Sequence, residues 1–190
     1  MIGLIFGPPG SGKGTQAAHV EREFKLSHLS TGDILRAEVA RGTEIGKEAE
    51  RIMSAGDLVP DGLIIRIVQG ILRDPDVSSD VLLDGFPRTL DQAKALDQML
   101  AHEGHNVDFV IAFKVPEDVL IERLLHRAEV EGRADDTRDA ITERMHEYRH
   151  LTEKVLGHYR KAGVKLHEID GLGAVEEVFD RIKLALKRTN

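Results

Sequence analysis

Residues 7–15, with the sequence GPPGSGKGT, constrain this chain more than any other segment. They follow the apolar run 2–6 directly and precede a stretch with a helical pattern. The G-x-x-x-x-G-K spacing between a strand and a helix is typical of a loop that binds phosphate. The backbone N–H groups of such a loop and the start of the helix point at phosphate oxygens, and Lys13 reaches the outer phosphates. The sequence therefore predicts a polyphosphate site here, and an ordinary Gly- and Pro-rich turn is the alternative.

One position departs from the usual pattern of this loop. The residue after the lysine is commonly Ser or Thr, whose hydroxyl ligates Mg²⁺, but here it is Gly14, and the hydroxyl follows at Thr15. Direct ligation of the metal from the loop is therefore not expected. Asp84 ends the apolar run 81–83, which reads as a strand buried on both faces. Because the carboxyl ends of parallel strands form the ligand-binding edge, we expect Asp84 to hold Mg²⁺, directly or, preferably, through water.

Composition excludes several classes of function. At 190 residues, with 41% hydrophobic and 31% charged residues, the chain is predicted to form one soluble domain with small insertions. It has no cysteine, which excludes disulfides, thiolate catalysis and cysteine-based zinc sites. The net charge of -7 argues against nucleic-acid binding. No secretory leader or membrane span is indicated, so a cytoplasmic location is expected.

Apolar segments and amphipathic helices alternate along the chain. Runs at 2–6, 81–83, 109–115 and 164–169 read as strands, and helical spacing between them predicts a parallel α/β sheet. Residues 30–59 contain short helical pieces and look like an insertion at the rim, with Ser30 or Thr31 as a helix N-cap.

Two helix ends and one loop are predicted from local signals. Thr89 and Gln92 read as a capping box, which is the structural alternative to any binding role for Gln92. The segment from Arg123 to Asp136 reads as a polar loop. A long helix follows, with Asp136 as its N-cap and a buried stripe. The stripe consists of Ile141, Met145, Tyr148, Thr152, Val155 and Tyr159.

Four segments together resemble the adenylate kinase family along essentially the whole chain. They are residues 7–15, 30–36, 84–89 and 127–136. The resemblance implies a P-loop three-layer α/β fold, with a central five-stranded parallel sheet and helices on both faces. It also implies a core of residues 1–29, 60–125 and 137–190, an NMP-binding insertion at 30–59 and a short lid at 126–136. Longer lids in the family bind zinc; since this one is short and has no cysteine, no zinc is expected.

The resemblance implies the reaction ATP + AMP ⇌ 2 ADP with Mg²⁺, carried out by a cytoplasmic monomer that needs no nucleic acid or membrane. The residues implied for ATP are Gly10, Ser11, Gly12, Lys13, Gly14, Thr15, Arg127 and a backbone group near Gly173. Those implied for AMP are Thr31, Arg36, Asp57, Leu58, Val59, Gly85, Phe86, Pro87, Arg88, Gln92, Arg133 and Arg144. The catalytic residues implied are Lys13, Arg88, Arg127, Arg133 and Arg144. The resemblance also suggests a cis Phe86–Pro87 bond.

Elementary chemistry agrees with these roles. A phosphate monoester is mostly ionised at pH 7, so the acceptor needs no general base, and no covalent intermediate is expected. The enzyme has to supply alignment and charge neutralisation. Six cations are available for the four phosphate groups, namely Lys13, Arg36, Arg88, Arg127, Arg133 and Arg144. For each arginine, a solvated surface position is the alternative.

Three other interpretations remain open at this point. A kinase of the same fold that prefers UMP or CMP is one, and a nucleotide-binding switch without turnover is another. His146–His150 reads H-E-x-x-H, the zinc metalloprotease motif, but no third ligand follows at a recognisable spacing, and a solvated helix face is the simpler interpretation. His102 and His105 read as an exposed turn.

Overall fold

The structure is a computed structural model that describes residues 1–74, 80–131 and 137–187. Its centre is a sheet of five parallel strands in the order β2-β3-β1-β4-β5. The strands are β1 Ile2–Phe6, β2 Ser27–Ser30, β3 Val81–Asp84, β4 Phe109–Lys114 and β5 Lys165–Asp170. The predicted parallel α/β fold is thereby confirmed.

Helices connect the strands and surround the sheet. They are α1 Lys13–Phe24, α2 Thr31–Ala40, α3 Glu44–Ala55, α4 Asp61–Leu72, α5 Leu90–His102, α6 Glu117–Glu131, α7 Arg138–Glu147, α8 Glu153–Lys161 and α9 Val175–Lys187. A π-helical turn, Tyr148–Thr152, joins α7 to α8. Within the described residues, none of the helices is both long and apolar enough to span a membrane.

Helices cover both faces of the sheet because its central strands are apolar on both sides. Successive strand residues point to opposite faces. Leu4 accordingly packs in the cluster that includes residues of α4, α5 and α8, whereas Ile5 packs with residues of α1 and α9. β1 and β3 are buried at every position, as their continuous apolar runs predict.

The insertion between β2 and α4 consists of α2 and α3. Ser30 is the N-cap of α2, with its hydroxyl accepting from the Asp33 N–H at 3.2 Å. Gly56 ends α3 with a φ of 88°, and a Cβ at this glycine would lie 2.6 Å from the Ala140 carbonyl oxygen of α7. The insertion therefore comes into close backbone contact with α7 at Gly56, and its Leu35 and Ala49 are buried in the same cluster as Leu4.

Two boundaries differ from the sequence predictions. The polar loop expected from Arg123 onward is helical up to Glu131, since the Leu, Glu, Arg and Ala residues of this stretch favour a helix and Leu124 is fully buried. The N-cap of α7 is Thr137, whose hydroxyl accepts from the Ala140 N–H, and not Asp136, which lies outside the described residues. The predicted buried stripe is correct: Ile141, Met145, Thr152, Val155 and Tyr159 are buried, and Tyr148 is partly buried.

Candidate functional site

The loop between β1 and α1 is held by the helices that surround it. Gly10 has a φ of 81°, and a Cβ there would lie 2.7 Å from the Leu120 carbonyl oxygen of α6. Gly12, with a φ of 84°, is the N-cap of α1, and the Gln16 N–H donates to its carbonyl at 3.0 Å. The Ser11 hydroxyl is buried and has no hydrogen-bond partner among the described residues. The N-terminal end of α1 is thus left open toward the carboxyl edge of the sheet.

Lys13 lies among several charged side chains at this edge. Burial lowers the pKa of its ammonium group to about 8; Arg88, Arg144 and Arg127 lower it as well, and the Asp84 carboxylate opposes them. Four of the predicted cations therefore act on one another electrostatically. Their mutual repulsion, which Asp84 offsets only in part, favours binding of a polyanion.

Arg88 is fixed from three sides. Its Nε donates to the Gly85 carbonyl at 2.9 Å, and its backbone N–H donates to Gln92 Oε1 at 2.7 Å. The Thr152 hydroxyl, from the π-helical turn, donates to the Arg88 carbonyl at 3.2 Å. Burial, followed by Arg144, lowers the pKa of the guanidinium to about 10, so it remains charged at neutral pH.

Asp84 ends β3 and is 6% exposed. Its Oδ2 lies 3.3 Å from His28 Nε2, and its backbone carbonyl accepts from the Thr31 hydroxyl at 3.3 Å. Burial alone would lower the pKa of His28, but the hydrogen bond and charge of Asp84 outweigh it and raise that pKa. A Cβ at Gly14 would lie 3.8 Å from Asp84 Oδ2, so the carboxylate faces the start of α1. A hard oxygen in this place fits Mg²⁺ that retains most of its water.

Two clefts meet at Arg88 and Arg144. The first is bordered by the loop and α7, and its lining includes Lys13, Gly85, Phe86, Pro87, Arg88 and Arg144. The second extends under the insertion, and its lining includes Thr31, Arg36, Asp57, Leu58, Val59, Gly85, Arg88, Gln92 and Arg144. The Phe86–Pro87 peptide between them is cis, as expected. The arrangement offers two anion sites that share a pair of guanidinium groups.

The sequence of this site matches a known family. The family model described as adenylate kinase matches residues 5–164. The chain belongs to the adenylate kinase family. An adenylate kinase of Xylella fastidiosa (strain M12) is 46% identical over 183 residues, covering 96% of this chain and 97% of its own. Those of Thermus thermophilus and Stenotrophomonas maltophilia are 46% and 43% identical, and the alignments cover 95% and 98% of those relatives. The family match includes the phosphate loop and both clefts.

Among the described residues that the family resemblance implied, Arg127 and Gly173 do not line either of these clefts. Arg133 lies outside the described residues. Gly173 is exposed in the turn before α9. Gly171 is closer to the phosphate loop: a Cβ there would lie 3.4 Å from the Ser11 carbonyl oxygen, and its own carbonyl accepts from Arg123 Nη2 at 3.2 Å.

Gln92 borders the second cleft and takes part in the helix cap, whereas its role in binding AMP stays a prediction. It is 2% exposed, and its Nε2 donates to Asp61 Oδ1 at 2.7 Å. Thr89 caps α5 by accepting from the Gln92 N–H at 3.2 Å, and its own hydroxyl donates to Asp61 Oδ2 at 2.8 Å. The Gln92 amide is therefore held in one orientation by the helix cap and by Asp61.

Four residues of the site were missed by the sequence analysis. They are His28, Asp61, Arg123 and Thr152. His28 could have been suspected, because it precedes Ser30 on a short strand whose end joins the site. The contacts of the other three depend on packing between helices, and no local pattern signals them.

The H-E-x-x-H motif spans the end of α7 and the π-helical turn. The rings of His146 and His150 lie 4.1 Å apart, and the His146 side chain is 59% exposed. Glu147 borders the first cleft. Arg144, two residues before the motif, lines both clefts, and the adenylate kinase match includes the motif itself, so the protease interpretation has no support from the family.

Proposed function

We propose that this protein catalyses reversible phosphoryl transfer from MgATP to AMP, giving two ADP. The observation that carries the proposal is the pair of clefts joined at Arg88 and Arg144, with Lys13 on one side and the insertion on the other. Membership of the adenylate kinase family supports it. A switch that binds a single nucleotide would have no use for the second cleft.

The ATP phosphates are proposed to lie on the backbone N–H groups of residues 10–15 and on Lys13, with Arg127 and the backbone near Gly173 as further contacts. Asp84 would hold Mg²⁺ through water, and the metal would supply charge neutralisation between the outer phosphates. His28 keeps the Asp84 carboxylate oriented. Arg123 positions the Gly171 carbonyl beside the loop.

AMP is proposed to bind under the insertion. Thr31 and Gln92 would meet the adenine, since an amide offers both a donor and an acceptor to its edge. Arg36 and Arg88 would hold the AMP phosphate. The remaining contacts proposed are Asp57, Leu58, Val59, Gly85, Phe86 and Pro87, together with Arg133 and Arg144.

The proposed mechanism uses positioning and charge, with no general base and no covalent intermediate. The ionised AMP phosphate attacks the terminal phosphate of ATP in line, while Lys13, Arg88 and Arg144 neutralise the charge of the transferring group. Arginine forks can contact two oxygens at once, which holds the reacting groups in register. Water would compete as acceptor, so residues 30–59 and 126–136 are proposed to close over the substrates. We further propose that the protein acts as a cytoplasmic monomer.

The test is a coupled assay of ADP formation with MgATP and AMP, UMP or CMP as acceptor. The proposal expects AMP to give the highest kcat/KM, with Thr31→Ala raising the KM for AMP. Preference for UMP or CMP would contradict the assignment of the acceptor. Nucleotide binding without any ADP formed would indicate a switch and would contradict the proposed reaction itself.

A further inference from the structure

Three potential metal ligands converge on α7 outside the proposed catalytic set. Glu143, His146 and Glu147 each offer one ligand atom, and these atoms all lie within 4.8 Å of one another. His146 Nδ1 is 3.6 Å from Glu143 Oε1. The spacing i, i+3, i+4 places all three side chains on one face of the helix. The set combines one imidazole with two carboxylates.

A second, independent observation concerns Glu147. Its Oε2 atom is buried and accepts no hydrogen bond from the described residues. A buried carboxylate oxygen without a donor is costly to maintain, and a cation is one way to satisfy it.

The location adds a reason for a cation. Asp57 lies two residues beyond the end of the insertion's helix α3, and a Cβ at the adjacent Gly56 would lie 3.1 Å from the Cβ of Glu143. Gly56 is in close contact with α7. Carboxyl groups of the insertion and of α7 thus lie near this contact, beside Arg144, and a bound cation would further offset their charge.

The ligand set indicates which cation. An imidazole nitrogen with carboxylate oxygens suits Zn²⁺, which such ligands bind at about 2.0–2.2 Å. Mg²⁺ prefers an all-oxygen shell and gains little from an imidazole. The site is therefore chemically distinct from the one at Asp84.

We propose that Glu143, His146 and Glu147 bind one Zn²⁺ ion per chain, with water completing the tetrahedral shell. The sequence analysis expected no zinc, and this proposal departs from that expectation. The proposed site differs from the H-E-x-x-H motif in two residues. It includes Glu143, which is not part of the motif, and it does not include His150, which the motif requires.

The test is calorimetric titration of the metal-stripped full chain with Zn²⁺, without nucleotide. The proposal expects saturable binding with one Zn²⁺ per chain, weakened at least about tenfold by His146→Gln and by Glu143→Gln. His150→Gln should change the affinity less than about twofold, as should His102→Gln, a matched control on α5. Asp84→Asn should bind Zn²⁺ like the wild type. Circular dichroism of each variant confirms the fold, and two ligand variants are used so that one misfolded protein does not decide the outcome.

Four results would overturn the proposal, three of which concern the converging group and its neighbour. These three are the absence of saturable binding, an affinity unchanged by either ligand variant, and an equal loss with His150→Gln, which would assign the ion to the two histidines. A loss with Asp84→Asn would likewise move it to the catalytic edge.

Discussion

The lowered pKa of Lys13 predicts how activity depends on pH. Its ammonium group has a pKa of about 8 in the folded protein, because burial and three arginines disfavour the charged form. A lysine with a lowered pKa is charged below that value and loses its charge as the pH rises through it. The charged fraction is then about 90% at pH 7 and about 9% at pH 9. The second ionisation of phosphate, near pH 6, is nearly complete over this range.

We expect kcat/KM for MgATP to fall about tenfold between pH 7 and pH 9, because this constant reports the free enzyme. The assay is coupled ADP formation at saturating AMP, with coupling enzymes in excess at each pH. The corresponding fall in kcat should lie at higher pH, since bound phosphate favours the ammonium form.

Lys13→Arg is the matched variant. Its guanidinium stays charged throughout, so its kcat/KM should be lower than that of the wild type but nearly constant from pH 7 to pH 9. A wild-type kcat/KM that does not change over this range would refute the reasoning. So would an equal fall in the arginine variant, because the titrating group would then be elsewhere.

Three further changes test the site and its support. Arg88→Lys keeps the charge but loses the planar guanidinium, so kcat should fall on the order of 10²-fold or more with little change in melting temperature. A fall in kcat of less than about fivefold would count against a two-point contact of Arg88 with phosphate. Leu124→Ala removes a fully buried side chain beneath the phosphate loop and should lower the free energy of unfolding in urea by about 2–5 kcal/mol. Leu184→Ala, at a 56% exposed position, should lower it by under about 0.5 kcal/mol, and equal losses would mean that the cluster around Leu124 does not support the loop. Gly56→Ala forces a Cβ against α7 at positive φ and should raise the KM for AMP and lower the melting temperature, while Gly157→Ala, with open space around it, should do neither. An unchanged KM for AMP in both variants would show that the contact at Gly56 does not affect AMP binding.

The parts of the fold that could be predicted from the sequence are those governed by local rules. The buried strands at 2–6 and 81–83 and the Thr89 cap follow from short patterns, and the structure confirms them. The loop after β1 leads into helix α1, as its pattern predicts, and phosphate binding there stays a prediction. The parallel sheet followed from the alternation of elements. The cis bond at residue 86 was expected only from the family resemblance.

The parts that the sequence did not predict depend on contacts between distant segments. The end of helix α6 was predicted too early because its last residues are polar, as in a loop, although they favour a helix. The π-helical turn has no sequence signature, yet it brings the Thr152 hydroxyl to the Arg88 carbonyl. His28 reaches Asp84 only because β2 pairs with β3 in parallel register. The last two features are set by packing rather than by propensity.

The central claim is that two nucleotides bind at once, with their phosphates meeting at Arg88 and Arg144. Calorimetric titration with a mimic of two adenosines joined by five phosphates tests it most directly. The account predicts one mimic per chain, bound at least about 100-fold more tightly than ATP and displacing both ATP and AMP. A mimic that binds no more tightly than ATP, or that leaves AMP binding intact, would contradict it.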